Sequence, residues 1–183
     1  MPKTDPAREA LLTALEASGV SIPLWDGILI EETVRVAPGA TILPGCILRG
    51  NTTIAAGSVI GPGSVLTDAV IGKNCTVKNT YITESTLEEN VSIGPFSQVR
   101  PGCHIAAGCK IGDFVEVKNS HIGQKTAIAH LTYVGDTDCG SGVNFGCGVA
   151  IANFNGKEKF RTTIGDNAFL GCNTNLVAPV TIG

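Results

Sequence analysis

IGPFSQVRPGCHIAAGCKIGDFVEVKNSHIG, residues 93–123, places Ile or Val at 93, 99, 105, 111, 117 and 122, with Gly, Pro, Ala and Ser crowded between them. The same beat runs back through 87, 82, 77, 71, 66, 60, 54, 48, 42, 36 and 30, and forward through 128, 134, 139, 145, 151, 164, 170, 176 and 182. All of these rung starts are Ile, Leu or Val except Cys139 and Phe145, and every step but the one from Ile151 to Ile164 is five or six residues. Recurrence at a fixed short period is the mark of a repeat architecture. Six residues are too few for a helix-turn-helix unit and too regular for a meander. They fit a short strand plus a corner, with corners supplied by steps such as those at Gly61, Pro101 and Ala107.

Three units close one triangular coil of about 17 or 18 residues, and coils stack at strand spacing, roughly 4.8 Å. The expected fold class is therefore all-β, a parallel β-helix of about eight or nine coils over residues 30–183, interrupted by an inserted loop at 152–163. Residues 1–29 are expected to form a cap helix and entry segment, with Asp5 as N-cap, Pro6 as first helical residue, Leu11, Leu12 and Leu15 as the buried stripe, and Gly19 as the stop. A cap suits an open β-helix end, which otherwise exposes unpaired N–H and C=O groups.

The fourth residue after a rung start is small or β-branched, as at Ala40, Thr52, Ser58, Ser64, Ser97, Val115, Thr132, Ala168 and Thr174, and should face inward. Cys46, Cys75, Cys103 and Cys109 share that offset and Cys139 is a rung start, so five of the seven cysteines read as small apolar fillers. Cys147 and Cys172 fall on outward turns. An odd cysteine count without a CxxC pair argues against a disulfide framework or zinc ribbon, and no His/Cys/carboxylate spacing points to a metal.

Composition narrows the partners. With 183 residues, 16% charged, 5% aromatic and 23 glycines, the chain suits one domain of stacked short strands. A formal charge of −3 gives no general attraction to nucleic acid or anionic membrane, which leaves small molecules or further copies of the chain. MPKTDPAREA, residues 1–10, has no apolar signal core, and no apolar run is long enough to span a bilayer, so a soluble cytoplasmic protein is expected.

Register turns sequence distance into neighbourhood. Rungs at Val99, Val117, Val134 and Ile151 share a face, so Arg100 and Lys118 stack one coil apart and point outward, while Glu116 and Tyr133 stack at the adjoining corner. His130 occupies a turn offset that Cys147 repeats one coil later, and Asn144 closes the rung before Phe145. The excursion leaves this face, bringing Lys157, Lys159 and Arg161 to it. Paired cations suit a phosphate, and stacking like charges is unfavourable without an anion between them. An imidazole, which titrates near neutrality, suits removal of a proton from an amine. His104 at a rung end and His121 at an inward offset read as structural.

From about residue 93 to 183 the chain resembles the C-terminal, acetyl-transferring domain of bifunctional N-acetylglucosamine-1-phosphate uridyltransferase/glucosamine-1-phosphate acetyltransferase. The carrying motifs are IGPFSQVRPG (93–102), GDFVEVKNSHIG (112–123), AHLTYVGD (129–136), GVNFGCG (142–148), NFNG (153–156) and TTIGDNAFLGCNTNLVAPVTIG (162–183), with residues 8–28 similar to the helix that follows that enzyme's first domain. The resemblance implies a left-handed coil, a homotrimer with sites between subunits, and acetyl-CoA as co-substrate. It implies that Arg100, Lys118, Tyr133, Asn144, Asn153, Phe154 and Lys159 bind the sugar phosphate, Phe154 standing where the family has Tyr. It implies His130 as general base with Glu116 orienting or supporting that site, and places Cys147 and Cys172 at coenzyme contacts where the family has Ala and Ser. The expected reaction is N-acetylation of glucosamine 1-phosphate, a step toward UDP-N-acetylglucosamine and cell-wall precursors. No nucleotide-binding LxxGxGTRM-like loop is present in the sequence, so uridyl transfer is not expected. The alternatives are transfer to another amino sugar or from another acyl donor, or a truncated, non-catalytic trimeric scaffold that binds sugar phosphate.

Overall fold

The structure, a computed structural model, describes residues 5–183, so the first four residues of the expected 1–29 segment lie outside it. The chain winds as a parallel β-helix. Among the described residues its strands form two nine-stranded sheets and one eight-stranded sheet, and successive strands of the chain step from one sheet to the next. The first face runs from Leu29–Ile30 to Asn175–Val177, the second from Arg35–Val36 to Val180–Ile182, and the third from Thr41–Ile42 to Phe169–Leu170. All strand pairs are parallel, and rung start sits on rung start, as in Val99↔Val117, Ile111↔Ile128 and Ile122↔Cys139.

The triangular interior is filled by two kinds of residue. Rung starts such as Ile42, Leu48, Ile60, Leu66, Ile82 and Ile105 are fully buried, and the small offset carries Ala40, Cys46, Cys75, Cys109 and Val115, also buried. Where that offset holds a hydroxyl, the group in several coils bridges to the next one. Ser58 Oγ donates to the Gly72 carbonyl at 2.7 Å and accepts from the Cys75 N–H at 3.0 Å, and Thr126 does the same between the Gly140 carbonyl and the Val143 N–H. Hydroxyls paired in this way tie neighbouring corners together and offset the desolvation of both partners.

The helix Pro6–Ala17 closes the first coil. Asp5 caps it by accepting from the N–H groups of Ala7 and Arg8, and Leu12 is fully buried with Leu11 and Leu15 packed partly against the core. Its end is a paired-bond cap, with Val20 N–H on the Leu15 carbonyl, Gly19 N–H on the Glu16 carbonyl, and Gly19 at φ +98°. Arg8 Nε then donates to the Ile28 carbonyl at 2.7 Å, which holds the helix on the entry segment.

Because each coil touches only its neighbours, a cavity in a central coil has no distant element to close it. Ile105→Ala is expected to cost about 2–5 kcal/mol, whereas Lys110→Ala, exposed on the strand Lys110–Ile111, should stay within about 0.5 kcal/mol of the parent. Urea unfolding of the two variants checks this.

Candidate active site

The first face builds the site. Its strands Glu116–Lys118 and Tyr133–Gly135 pair with Glu116 opposite Tyr133 and Lys118 opposite Gly135, and Arg100 follows the neighbouring strand Gln98–Val99. The two stacked cations do not stand unpaired, because carboxylates interleave with them. Arg100 Nη1 lies 2.8 Å from Glu116 Oε1, and Lys118 Nζ lies 3.7 Å from Asp136 Oδ2.

Asp136 is the hub of the cluster. Its side chain is only 6% exposed, and it accepts from Asn119 Nδ2 at 2.5 Å and from Asn153 Nδ2. Burial alone would raise its carboxyl, but the bonds from Asn119 and Asn153 and the charges of Lys118 and Lys159 outweigh it and hold the group below the ordinary carboxylate range. Lys118 is also shifted down, which for an ammonium favours the neutral form. The neighbouring Lys159 ammonium and then burial depress its pKa from 10.5, with Asp136 opposing them. Two ammonium groups crowded beside one carboxylate, itself taken up by two amides, leave positive potential for an incoming anion.

Lys159 and Asn153 arrive on the excursion, which leaves the first face at Ala152 and rejoins the second at Thr162, opposite Thr137. It is a tight hairpin. Phe154 bridges Lys159 antiparallel, Phe160 N–H donates to the Asn153 carbonyl at 2.8 Å, and the Asn155 carboxamide accepts from the N–H groups of Lys157 and Glu158. Of the three cations expected from this loop only Lys159 joins the cluster. Arg161 turns to the second face, where it grips Asp138 through Nε at 2.8 Å and Nη2 at 2.5 Å and donates to the Asn119 carbonyl at 3.1 Å. That pairing, helped by the His121 contact and opposed by partial burial, carries the Asp138 pKa down to about 2. Arg161 therefore latches the hairpin, while Lys159 stands beside Lys118. Tyr133 lies across Gly135, where a Cβ would fall on its hydroxyl and 2.8 Å from Asn153 Nδ2. The Tyr133 hydroxyl is 3.5 Å from Asn153 Nδ2.

His130 sits at the corner that leads into Tyr133–Gly135, its side chain 63% exposed and its backbone left-handed at φ +60°. Two residues, Leu131 and Thr132, separate it from Tyr133, and the three Cα–Cα steps keep their Cα atoms within about 11 Å. Its partner is Asp113, with Nδ1 2.8 Å from Oδ1. With Nδ1–H donating to this carboxylate, Nε2 carries the free lone pair. Glu116, expected to orient or support the site, faces Arg100, and the carboxylate on His130 is that of Asp113. Register explains the difference, since Asp113 and His130 both stand two residues after paired rung starts, whereas Glu116 lies opposite Tyr133.

The same corner column continues downward. Cys147 and Cys172 follow the paired rung starts Phe145 and Leu170 by two residues, and both are exposed. Asn144 is exposed on the strand Asn144–Phe145, beside this corner and apart from the groups around Lys118, and Phe154 is exposed on the hairpin. His121 corrects another expectation. A five-residue step makes it the residue before Ile122, so it points outward, 68% exposed and 3.1 Å from Asp138, while Ser120 takes the buried inward position. His104 also points outward, 2.8 Å from Glu88.

Asp113 and Asp136 are the functional candidates that residue-type reasoning passed over. The available signal was spacing, because Asp113 precedes His130, and Asn119 precedes Asp136, by one coil of 17 residues.

A three-sided stack of short parallel rungs with an anion-seeking face and an Asp-paired histidine at one corner belongs to a definable class. The pattern of the bacterial transferase hexapeptide family, in its six-repeat form, matches residues 84–119. These residues carry the hexapeptide repeat of that transferase family. Over 165 residues it is 45% identical to the bifunctional protein GlmU of Clostridium kluyveri, an alignment covering 90% of this chain and 36% of the relative. The GlmU of Brevibacillus brevis is 44% identical over 176 residues, covering 96% of this chain and 38% of the relative. The chain thus spans somewhat over a third of the length of these curated relatives. Among solved structures, the Arabidopsis UDP-N-acetylglucosamine acyltransferase aligns at 16% identity and TM-score 0.49, over 88% of this chain and 65% of that chain.

The crowding of Lys118 by Lys159 sets a pH dependence. Anion binding needs Lys118 charged, so affinity for inorganic phosphate should fall as pH rises through its lowered pKa, earlier than an ordinary lysine would dictate. Lys159→Ala removes the largest cause of the shift and should weaken binding overall while moving the fall to higher pH, measurable by isothermal titration across the alkaline range.

Proposed function

We propose that this chain transfers the acetyl group of acetyl-CoA to the amine of glucosamine 1-phosphate. The observation that carries the reading is the meeting, on one face and its adjoining corner, of a three-cation cluster and a histidine oriented by a carboxylate. Identity of about 45% to GlmU relatives over most of the chain supports it.

In this reading Arg100, Lys118 and Lys159 hold the phosphate, and Asn153 and Tyr133 line the sugar. Asn144 and Phe154 complete the pocket rim. The sugar nitrogen attacks the thioester carbonyl while His130 Nε2 takes its proton, and the resulting imidazolium is stabilised by Asp113. Collapse of the tetrahedral adduct breaks the C–S bond, and the proton passes from His130 to the departing thiolate, giving the N-acetyl sugar and free CoA. Glu116 acts at one remove by fixing Arg100. Cys147 and Cys172 lie along the corner on which the acyl donor approaches His130.

The working unit is a homotrimer with sites between copies. Its support is a column of apolar residues at successive corners beside His130. Phe96, Phe114 and Leu131 are 59%, 54% and 66% exposed and all hold left-handed backbone, φ +57°, +56° and +56°. The Phe96 and Phe114 rings stack at 5.6 Å. Bulky side chains are strained in that conformation, and leaving them in water adds to the cost, so a second copy is the fitting cover. No helix among the described residues is long and apolar enough to cross a membrane, and seven free thiols suit the reducing cytoplasm.

The test is CoA release from acetyl-CoA with glucosamine 1-phosphate, set beside a panel of other amino sugars and acyl donors. His130→Ala should abolish detectable turnover while leaving thermal stabilisation by the sugar phosphate, and Asp113→Asn should lower kcat about 10²-fold or more with KM little changed. Unchanged turnover in His130→Ala would remove the base, and a faster panel substrate would replace the named one. For the assembly, Phe114→Glu should sediment as monomer and lose turnover; a monomeric parent protein would overturn the trimer.

A further inference from the structure

Two of the seven cysteines stand apart from the core. Cys46, Cys75, Cys103, Cys109 and Cys139 are buried, and burial pushes all five thiols up, Cys139 to about 12, so they are poor nucleophiles. Cys147 and Cys172 are exposed, and the coil register places them together. Asn144 pairs with Phe169 and Phe145 with Leu170 before the corner, and Ala150 pairs with Asn175 after it, so the two corners have equal length and lie one on the other. The Asn173 N–H reaches the Cys147 carbonyl at 2.7 Å, and the residues after the cysteines, Gly148 and Asn173, share left-handed backbone at φ +73° and +57°. Side chains at this offset do meet across coils, since Asp113 and His130, the two preceding members of the column, are 2.8 Å apart.

We propose that Cys147 and Cys172 form a reactive dithiol, a modification site that closes to a disulfide along the corner below His130. Adjacent coils, about 4.8 Å apart, fall within the Cα separation of about 4.4–6.8 Å that a disulfide spans. The oxidant is a low-molecular-weight disulfide. One thiolate attacks it, forming a mixed disulfide and expelling one thiol. The second cysteine then attacks the protein sulfur, expelling the other thiol, so two protein thiols are oxidised as one small disulfide is reduced. The bridge removes both S–H groups from the corner on which the acyl donor is proposed to lie, and this consequence, unlike the thiol chemistry, rests on the acetyl-transfer reading.

The probe is oxidised glutathione added to the folded protein, read by intact mass and by peptide mapping. The expected result is loss of two hydrogens, a cross-linked peptide pair carrying residues 147 and 172, and reversal by dithiothreitol. Cys147→Ser and Cys172→Ser should each instead retain one glutathione. Parent protein that keeps glutathione adducts, links between chains or fails to react overturns the proposal. Stabilisation by CoA in thermal melts should be lost on oxidation and restored on reduction. An equal CoA shift in both states overturns the effect on the donor. An intramolecular bridge with no CoA shift in either state leaves the dithiol standing and counts against the acetyl-transfer reading.

Discussion

The structure depends on one constraint: the backbone of each coil is hydrogen-bonded in register to the coils on either side. Bonds such as Arg100 N–H to the Val117 carbonyl at 2.8 Å and Tyr133 N–H to the Val149 carbonyl at 3.0 Å recur along all three faces. A slip of one residue would turn every rung start from the interior to solvent, so the apolar repeat fixes the register strongly. With the register fixed, outward residues are ordered into columns, and these columns are where the chemistry lies. Arg100 with Glu116, His104 with Glu88, and Asn119 with Asp136 are all partners separated by 16 or 17 residues.

Such columns impose an electrostatic discipline. Like charges one coil apart repel across a strand spacing, and the molecule answers by alternating sign. The site breaks that discipline in one place. Lys159, carried in from the hairpin, adds a cation beside Lys118 without a carboxylate of its own among the partners described, and Asp136 is already engaged by Asn119 and Asn153. The Asp138–Arg161 latch holds the hairpin so that this excess of charge stays in place.

The winding, the buried offsets and the inert cysteines were legible because they follow from spacing alone. Cys103 and Val115 are buried because each stands four residues past a rung start, Val99 and Ile111 respectively, where the chain turns inward. His121 shows where that rule fails, since a five-residue step shortens the corner and moves the inward role to Ser120. The excursion was recognisable as an interruption, but the separate destinations of Lys159 and Arg161 depend on a hairpin whose turn is set by Asn155 and on an ion pair with another face. Asp113 and Asp136 were hidden for a different reason. Each reads as an ordinary turn residue until the column above or below it is drawn. The hand of the coil is not written in a six-residue period at all and comes from resemblance.

The hairpin rejoins the second face without disturbing its ladder, for Thr137, Asp138 and Cys139 pair with Thr162, Thr163 and Ile164 as though the intervening residues were an ordinary corner. Closing a longer loop at a fixed mouth adds little entropy, about 0.6 kcal/mol per doubling of length. Corners of such a spiral are therefore natural ports for grafting: segments of differing length and charge can be exchanged there, altering which ligand is gripped, while the stacked interior that holds the grip steady goes untouched.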